Sequence, residues 1–564
     1  MKHLCIIVLA LTIGTVSRSQ ISSSDSLFID SLLQSTYPAS GPGAAILIAH
    51  NGQPVFRNAY GMANLELNVP NQPEYVFAIG SMSKQFVAIS LLMLEAEGKL
   101  NLDDPVTRYL SDYDTLGNNI TIRQLLTHTS GIKSFTEMDT FQKLVNVDLG
   151  AEEMLELFMH EPLMFEPGSD WSYSNSGYTV AGMIVEKVSG MSLQAFFKLR
   201  IFRRLGMKHT HLGSHERSIP GFVTGYSLST EGYYPAREFS WTWPFAAGGI
   251  VSNVDDMLKW DEALYTDKLL PLSSLQQAFT NYSLTDGQPM NYGLGWGVYA
   301  TDSLTFIRHG GAINGFLSDG IRVPEAHFYM VILSNSFATT SPGDVTNKVL
   351  NRLFQLGIED VTVLEDSIDL VPYTGVYRVE RSGGRSASNY GEDGMFRYIT
   401  LEDGALYSQV SGGGKSQLER IGIDTFYLGN DYSRYVFLRD ATGAITGIKH
   451  LTLPTPTGPI DINTKTDLPF PAEKKAIDLP KGTCDKYIGV YDMGNGMQFT
   501  ISVVEERVFL QPTGQGKVAL YPLTETHFFI QEVDASVDFV LNDSGEVKEL
   551  IFNQNGSYPA RKIK

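Results

Sequence analysis

The chain has 564 residues, more than one hydrophobic core usually serves, so about two to four domains are expected. With 43% hydrophobic, 19% charged and 11% aromatic residues, its composition is that of a folded chain and excludes disorder as the main state. A formal net charge of −19 argues against nucleic acid or an anionic membrane as partner.

Residues 1–19 read as a signal peptide. Lys2 gives a small positive start, and Leu4 to Val16 is an apolar run too short to span a bilayer comfortably. Ser17-Arg18-Ser19 puts small residues where a signal peptidase reads, so cleavage is expected before Gln20. An uncleaved anchor is the alternative. No later stretch is apolar enough to cross a membrane, so the expected location is exported: periplasmic or secreted. Cys5 would leave with the signal, and Cys484 would remain alone as a buried, inert thiol without a disulfide.

Residues 20–358 mix strand and helix patterns. Ala44 to Ala49, then Asn51-Gly52 and Pro54-Val55-Phe56, predict a β-hairpin with a tight turn. Ser81 to Glu97 predicts a helix ending at Gly98. Its apolar residues cover most of its circumference, so it belongs in the middle of the domain. Further helices are expected at Ile122 to Thr127, Gly177 to Val188 and Val254 to Tyr265, with strands at Gly293 to Tyr299 and Phe328 to Asn335. Strands at both ends around central helices suggest an α+β or α/β domain whose sheet is closed by both termini.

After about Glu359, short alternating strands with Gly, Asp and Asn turns predict an all-β sandwich or barrel. Tyr373-Thr374-Gly375-Val376-Tyr377 returns as Tyr487-Ile488-Gly489-Val490-Tyr491, and Val436-Phe437-Leu438 returns as Phe539-Val540-Leu541. Two copies of one small β domain are expected, at residues 359–472 and 473–564, linked through Pro469 to Lys474. A single larger sheet built from both copies is the alternative. The first copy carries a Gly/Ser-rich insert at Ser382 to Gly394.

Three short motifs carry the chemistry. Ser81-Met82-Ser83-Lys84 is an S-x-x-K pattern, which alone would occur about once or twice by chance in such a chain. Its setting raises it. Residues at i and i+3 share a helix face, so Lys84 can reach Ser81, and burial lowers a lysine pKa until the amine can take a serine proton. The helix start also offers N–H groups to an oxyanion. In the rival reading Ser81 only caps the helix and Lys84 is solvated, but that would point a charge into an apolar helix. Tyr173-Ser174-Asn175 follows the Pro167-Gly168 turn. Tyr173 could act as general base and Asn175 could orient Lys84 and a substrate carbonyl, although a packing tyrosine is the simplest reading of the triplet alone. In His309-Gly310-Gly311-Ala312, paired glycines on a strand edge would let substrate approach, and the Ala312 N–H would give a second oxyanion donor. His309 could recognise a carboxylate or shuttle a proton. A turn with a surface histidine is the rival.

In this order, the three motifs resemble those of the serine β-lactamase and penicillin-binding protein superfamily, most nearly its class C branch with D-alanyl-D-alanine carboxypeptidases, D-aminopeptidases and esterases. Leu125 to Gly131 (LLTHTSG), Ala247-Gly248-Gly249 and Tyr292 to Trp296 (YGLGW) support it. The resemblance covers about Ser26 to Ile358. It implies an α+β fold, with an antiparallel sheet flanked by helices and an all-helical part. It implies Ser81 as acylated nucleophile, Lys84 as its activating partner, Tyr173 as general base, and Asn175, His309, Gly310 and Gly311 as substrate-binding. The N–H groups of Ser81 and Ala312 form the oxyanion hole. His309 stands where many β-lactamases have lysine, which favours peptidase-like or esterase-like activity over β-lactam hydrolysis. The C-terminal copies resemble the lipocalin-like barrels behind some D-aminopeptidase-like members, and the Ser382 to Gly394 insert is a candidate loop for the active-site mouth.

Gly412 to Ser416 lacks the first glycine of a phosphate loop and reads as a hairpin turn. Scattered histidines and one mature cysteine give no metal site. The expected enzyme is a cofactor-free serine hydrolase acting on a small-molecule or short-peptide substrate. An amide or peptide with a D-residue is the first choice, and a carboxylic ester or a weakly hydrolysed β-lactam the second. The rivals are a non-catalytic sensor of the same fold, and a periplasmic binding protein whose barrels carry the function. Oligomeric state is not legible.

Overall fold

The computed structural model describes residues 21–564 apart from 112, 114–118, 230–231, 302, 338–340, 357–363, 365–367, 380, 383–384, 387–394, 412, 429–432, 453–460, 473, 494–497, 505, 514–515, 532, 543 and 555–556. The expected signal peptide and most of the Ser382 to Gly394 insert lie outside the described residues. Among those described, no helix is long and apolar enough to cross a membrane.

The N-terminal part is built on one antiparallel sheet with helices on both faces. Helix α1 (Ser23–Thr36) leads into the hairpin of β1 (Ala44–His50) and β2 (Gln53–Tyr60). Asn51 and Gly52 both take positive φ, 51° and 71°, as a tight two-residue hairpin turn demands. Helices α2 (Lys84–Ala96), α3 (Asn175–Ser189) and α4 (Val254–Ala263) follow in the middle of the chain. The sheet is completed by β3 (Gly297–Ala300), β4 (Thr305–Ile313), β5 (Phe316–Val323) and β6 (Phe328–Ser334), and α5 (Pro342–Phe354) closes the domain. The strand order is β3-β4-β5-β6-β1-β2, so first and last strands meet at β1·β6, as expected for a sheet closed by both termini.

The apolar run of β1 is continuous because both of its faces are buried. Ala44, Ile46 and Ile48 pack with Ile29 and Leu33 of α1 and with Val345 and Val349 of α5. Ala45, Leu47 and Ala49 face the larger core that holds α2. Arg352 bonds Asp25 at 2.8 Å and ties α5 to α1. Every residue of α2 from Lys84 to Leu94 is buried, and Phe86 stacks on Trp260 of α4 at 4.0 Å. Each fully buried Leu, Ile or Phe of such a helix contributes on the order of 1.5–3 kcal/mol.

Two local expectations change. The helix expected from Ser81 begins as a 3₁₀ turn, Gly80–Ser83, and becomes α-helical only at Lys84. Neither turn nor helix start has a side-chain cap, so Ser81 is not spent on capping. The strand expected from Gly293 starts at Gly297 instead. Tyr292 to Trp296 is a tight turn in which the Gly293 N–H bonds the Trp296 carbonyl at 2.8 Å. A Cβ on Gly293 would lie 2.2 Å from the Ala278 carbonyl oxygen, and one on Gly295 (φ 85°) would lie 3.0 Å from that of Lys84. Close packing against the start of α2 therefore dictates that turn.

The C-terminal part forms two separate closed barrels of eight strands each, not one shared sheet. Their strands run from Gly375–Val379 to Asp461–Thr466 and from Gly489–Asp492 to Ser557–Lys562. Strands Ala405–Val410 and Lys415–Gly422 pair as a hairpin, with Gly413 and Gly414 between them, while Gly412 lies outside the described residues. Cys484 is a buried free thiol in the second barrel's core. The repeated Y-x-G-V-Y segment has a physical role. The second tyrosine donates its hydroxyl to the first one's carbonyl, Tyr377 to Tyr373 and Tyr491 to Tyr487, at 2.7 Å in both copies. Each bond pins the start of a first strand against the barrel core. Tyr491→Phe should cost the second barrel about 1–3 kcal/mol, since a buried acceptor loses its donor. Hydrogen exchange should speed up across Gly489–Lys562 and not in the N-terminal sheet.

Candidate active site

The backbone around Ser81 is set by close contact with the edge of β4. Strand β3 pairs only with Thr305 to Arg308, so β4 is open beyond it on that edge, from His309 onward. The 3₁₀ turn lies against this open edge. Gly80 adopts φ 51°, and a Cβ there would lie 2.8 Å from the Ala312 nitrogen. A Cβ on Gly311 would lie 2.0 Å from the Ile79 carbonyl oxygen and 2.4 Å from Ser318 Oγ, which donates to that carbonyl at 2.8 Å. Gly311 is thus glycine because the turn that carries Ser81 presses on it. Gly310 faces outward, with no atom nearer than 3.5 Å to an added Cβ. Ser81 and the Ala312 N–H are therefore neighbours.

Lys84 is completely buried. Its Nζ lies 2.8 Å from Asn175 Oδ1, 2.8 Å from the Ala247 carbonyl oxygen and 3.2 Å from Ser81 Oγ. Burial pushes its pKa well below the ordinary lysine value. A neutral amine has two N–H donors and one lone pair. Asn175 and Ala247 offer acceptors only, so they take the two hydrogens. The lone pair is left for the third and longest contact, the Ser81 hydroxyl, which can donate to it.

Tyr173 and Asn175 come from the segment leading into α3. Ser174 caps that helix by accepting the Gly177 N–H at 3.1 Å, and Asn175 is its first residue. Asn175 is held at its far end, because its Nδ2 donates to Ser134 Oγ (3.4 Å) and Thr136 Oγ1 (3.2 Å). This aims Oδ1 at Lys84. The Tyr173 ring centroid is 4.7 Å from Lys84 Nζ, and its hydroxyl lies near enough to Ser81 to feel that side chain. Burial raises its pKa, against a smaller lowering by Ser81, so the phenol holds its proton.

His309 sits beside Tyr173, with ring centroids 6.2 Å apart. Its Nδ1 lies 2.6 Å from the Gly310 carbonyl and must donate there. Nε2 is then an acceptor for the Tyr292 hydroxyl at 2.9 Å. Burial lowers the His309 pKa to about 3, partly opposed by the bond to Gly310. His309 is a neutral ring with both nitrogens engaged, and it presents no charge to a carboxylate.

Ser81, Lys84, Tyr173, Asn175 and Ala312 thus converge, His309 stands behind Tyr173, and Gly311 supports the turn. Three groups had no role in the sequence. Ala247 supplies a carbonyl to Lys84, and its A-G-G stretch was a visible signal. Ser134 and Thr136 left none, being hydroxyls in a loop about 40 residues before Asn175. His128, inside the visible LLTHTSG stretch, is fully buried; its Nδ1 accepts the Ser174 N–H at 3.1 Å and its ring lies 4.3 Å from that of Tyr173. Burial lowers its pKa well below the ordinary histidine value, so the ring is neutral.

The beta-lactamase family model matches residues 34–353, and that of a domain of unknown function, DUF3471, matches residues 473–563. Penicillin-binding protein 4* of Bacillus subtilis (strain 168) is 24% identical over 532 residues, covering 91% of this chain and 93% of its own. The structure of an octameric penicillin-binding protein homologue from Pyrococcus abyssi matches with a TM-score of 0.53 at 21% identity, covering 78% of this chain and 99% of its own, which speaks to the fold. That of a D-stereospecific amidohydrolase from Streptomyces sp. matches with a TM-score of 0.51 at 27% identity, covering 59% of this chain and 99% of its own.

The His128 contact makes a prediction. His128→Asn keeps an acceptor where Nδ1 stands and should retain most of the activity. His128→Leu leaves the Ser174 N–H without its acceptor and lets Tyr173 drift, which should lower kcat by about tenfold to a hundredfold. Steady-state kinetics of the two variants, with circular dichroism to check folding, decide it.

Proposed function

The chain belongs to the beta-lactamase family, and from that premise we propose that it is a serine hydrolase that forms an acyl-enzyme at Ser81 with small amide or short peptide substrates. The observation that carries this reading is the buried Lys84 amine, with two hydrogens committed to Asn175 and Ala247 and its third contact at Ser81 Oγ.

In this mechanism Ser81 Oγ attacks the carbonyl carbon and passes its proton to Lys84 Nζ. The tetrahedral oxyanion is held by the N–H groups of Ser81 and Ala312, and Asn175 contacts the substrate amide. When the C–N bond breaks, Tyr173 gives its proton to the leaving nitrogen and is reprotonated at the expense of Lys84. Water then attacks the ester carbonyl while Lys84 accepts its proton, and as the bond from the acyl carbon to Ser81 Oγ breaks, Lys84 returns that proton to Oγ and the acid leaves. Roles shift relative to the sequence expectation: the opposite effects of burial on the two groups favour Lys84 as the base and Tyr173 as the proton donor. The likeness to a D-stereospecific amidohydrolase supports an amide substrate carrying a D-residue. A neutral His309 puts β-lactams and D-alanyl-D-alanine peptides, both of which bear a carboxylate, behind that choice. The reading includes export, carried by the Leu4 to Val16 run.

Turnover of D- and L-aminoacyl anilides, a D-alanyl-D-alanine peptide, a chromogenic cephalosporin and short-chain nitrophenyl esters tests the reading. The wild type should act on at least one, best on a D-aminoacyl anilide, and Ser81→Ala on none; equal behaviour of the two proteins contradicts the assignment of Ser81. Lys84→Arg should lose about 10²–10⁴-fold in kcat/KM, because a guanidinium cannot deprotonate. The pH profile has a definite sign. The base works when neutral, so kcat/KM is present above the lowered Lys84 pKa and is lost as pH falls through it. His309, neutral down to about pH 3, should add no transition near pH 6.5.

A further inference from the structure

A cavity of about 230 Å³ opens at Ser81 and is shared by Asn175 and Ala312. Its wall is aromatic. Phe135, Phe141 and Trp243 interlock with ring centroids 5.2–5.7 Å apart. The polar edge of Trp243 is consumed, since Nε1 lies 3.0 Å from the carbonyls of both Leu144 and Val147, so only ring surface is left to the cavity. Phe239 and Phe337 line it as well, and Phe337 is 50% exposed. Among the described residues, none that lines it is charged.

The cavity lies on one side of the nucleophile. It follows β4 past Ala312 to Ile313 and Asn314, while Tyr173 and His309 do not line it. In the proposed mechanism Tyr173 protonates the leaving group, so the leaving half of the substrate belongs on the Tyr173 side. The acyl half then faces the aromatic wall.

We infer that this cavity is the subsite for a bulky, uncharged, aromatic side chain on the acyl half of the substrate; the inference rests on the acyl-enzyme reading above. Size and charge both support it. An apolar cavity of about 150 Å³ accepts a benzene molecule, so this one takes a benzyl or indolylmethyl group. A half-exposed Phe337 at its wall loses contact with water when such a group enters. A carboxylate would be desolvated there without a cation, because no lining residue carries charge and Lys84 already holds its acceptors.

The test holds the leaving group constant. Nitrophenyl esters of acetic, 3-phenylpropionic and glutaric acid differ only in the acyl half, and activity is counted where Ser81→Ala loses it. The 3-phenylpropionyl ester should exceed the acetyl ester by at least about tenfold in kcat/KM, and the charged glutaryl ester by about a hundredfold. Phe239→Ala and Phe337→Ala, both at partly exposed positions that should fold, should each lower the phenylpropionyl-to-acetyl ratio by at least about threefold. Ser81-dependent turnover without a preference for the aromatic ester, or with an equal rate on the glutaryl ester, overturns the subsite and leaves the serine mechanism standing. If no ester is turned over in a Ser81-dependent way, the anilide and peptide panel above decides the mechanism, and calorimetry with 3-phenylpropionamide and acetamide decides the subsite. Binding of the aromatic amide at least about tenfold tighter supports it, and equal binding overturns it.

Discussion

The site is organised by a lysine amine that has no access to water. Burying an ammonium costs several kcal/mol even after relaxation, and no carboxylate lies among the contacts of Lys84 to offset it. The economical solution is a neutral amine with both hydrogens satisfied, and Asn175 and Ala247 meet that requirement. In the proposed mechanism the remaining lone pair is the base. A third acceptor in place of Ser81, or a nearby carboxylate, would restore the charge and remove the base.

Much of the surrounding fold can be understood as holding this amine in place. The all-round apolar helix α2 keeps water from Lys84. The Tyr292 to Trp296 turn packs Gly295 on the helix start and Gly293 on Ala278, and sends the Tyr292 hydroxyl to His309. His128 pins the backbone of Ser174, so that Tyr173 and Asn175 arrive on either side of Lys84. Gly80 and Gly311 let the Ser81 turn sit against the β4 edge, closer than any side chain would allow. Stability and reactivity are opposed here: burial keeps Lys84 uncharged, and the amine forgoes solvation for it.

The parts legible in sequence were those with local signals. The Asn51-Gly52 hairpin, the central helix, the S-x-x-K pair and the two barrel copies all follow from spacing or turn chemistry within a few residues. The barrel repeat was visible because its tyrosines make the same bond in both copies. What remained hidden depends on distant partners. The 3₁₀ start at Gly80 is imposed by Ala312, over 200 residues later in the chain, and the late start of β3 by Ala278 and Lys84. The hydroxyls of Ser134 and Thr136 lie in a loop without periodicity, so nothing marked them as supports of Asn175. The neutral state of His309 was also hidden, since a histidine's charge is set by what surrounds it.

The charge of Lys84 is the point on which the account turns, and NMR titration of the protein with lysine labelled at Cε measures it directly, with Lys84→Arg to assign the signal. The account predicts a Lys84 resonance that is already that of a neutral amine near pH 7. A resonance that titrates near the ordinary lysine value of about 10.4 would show a charged ammonium beside Ser81 and would contradict it.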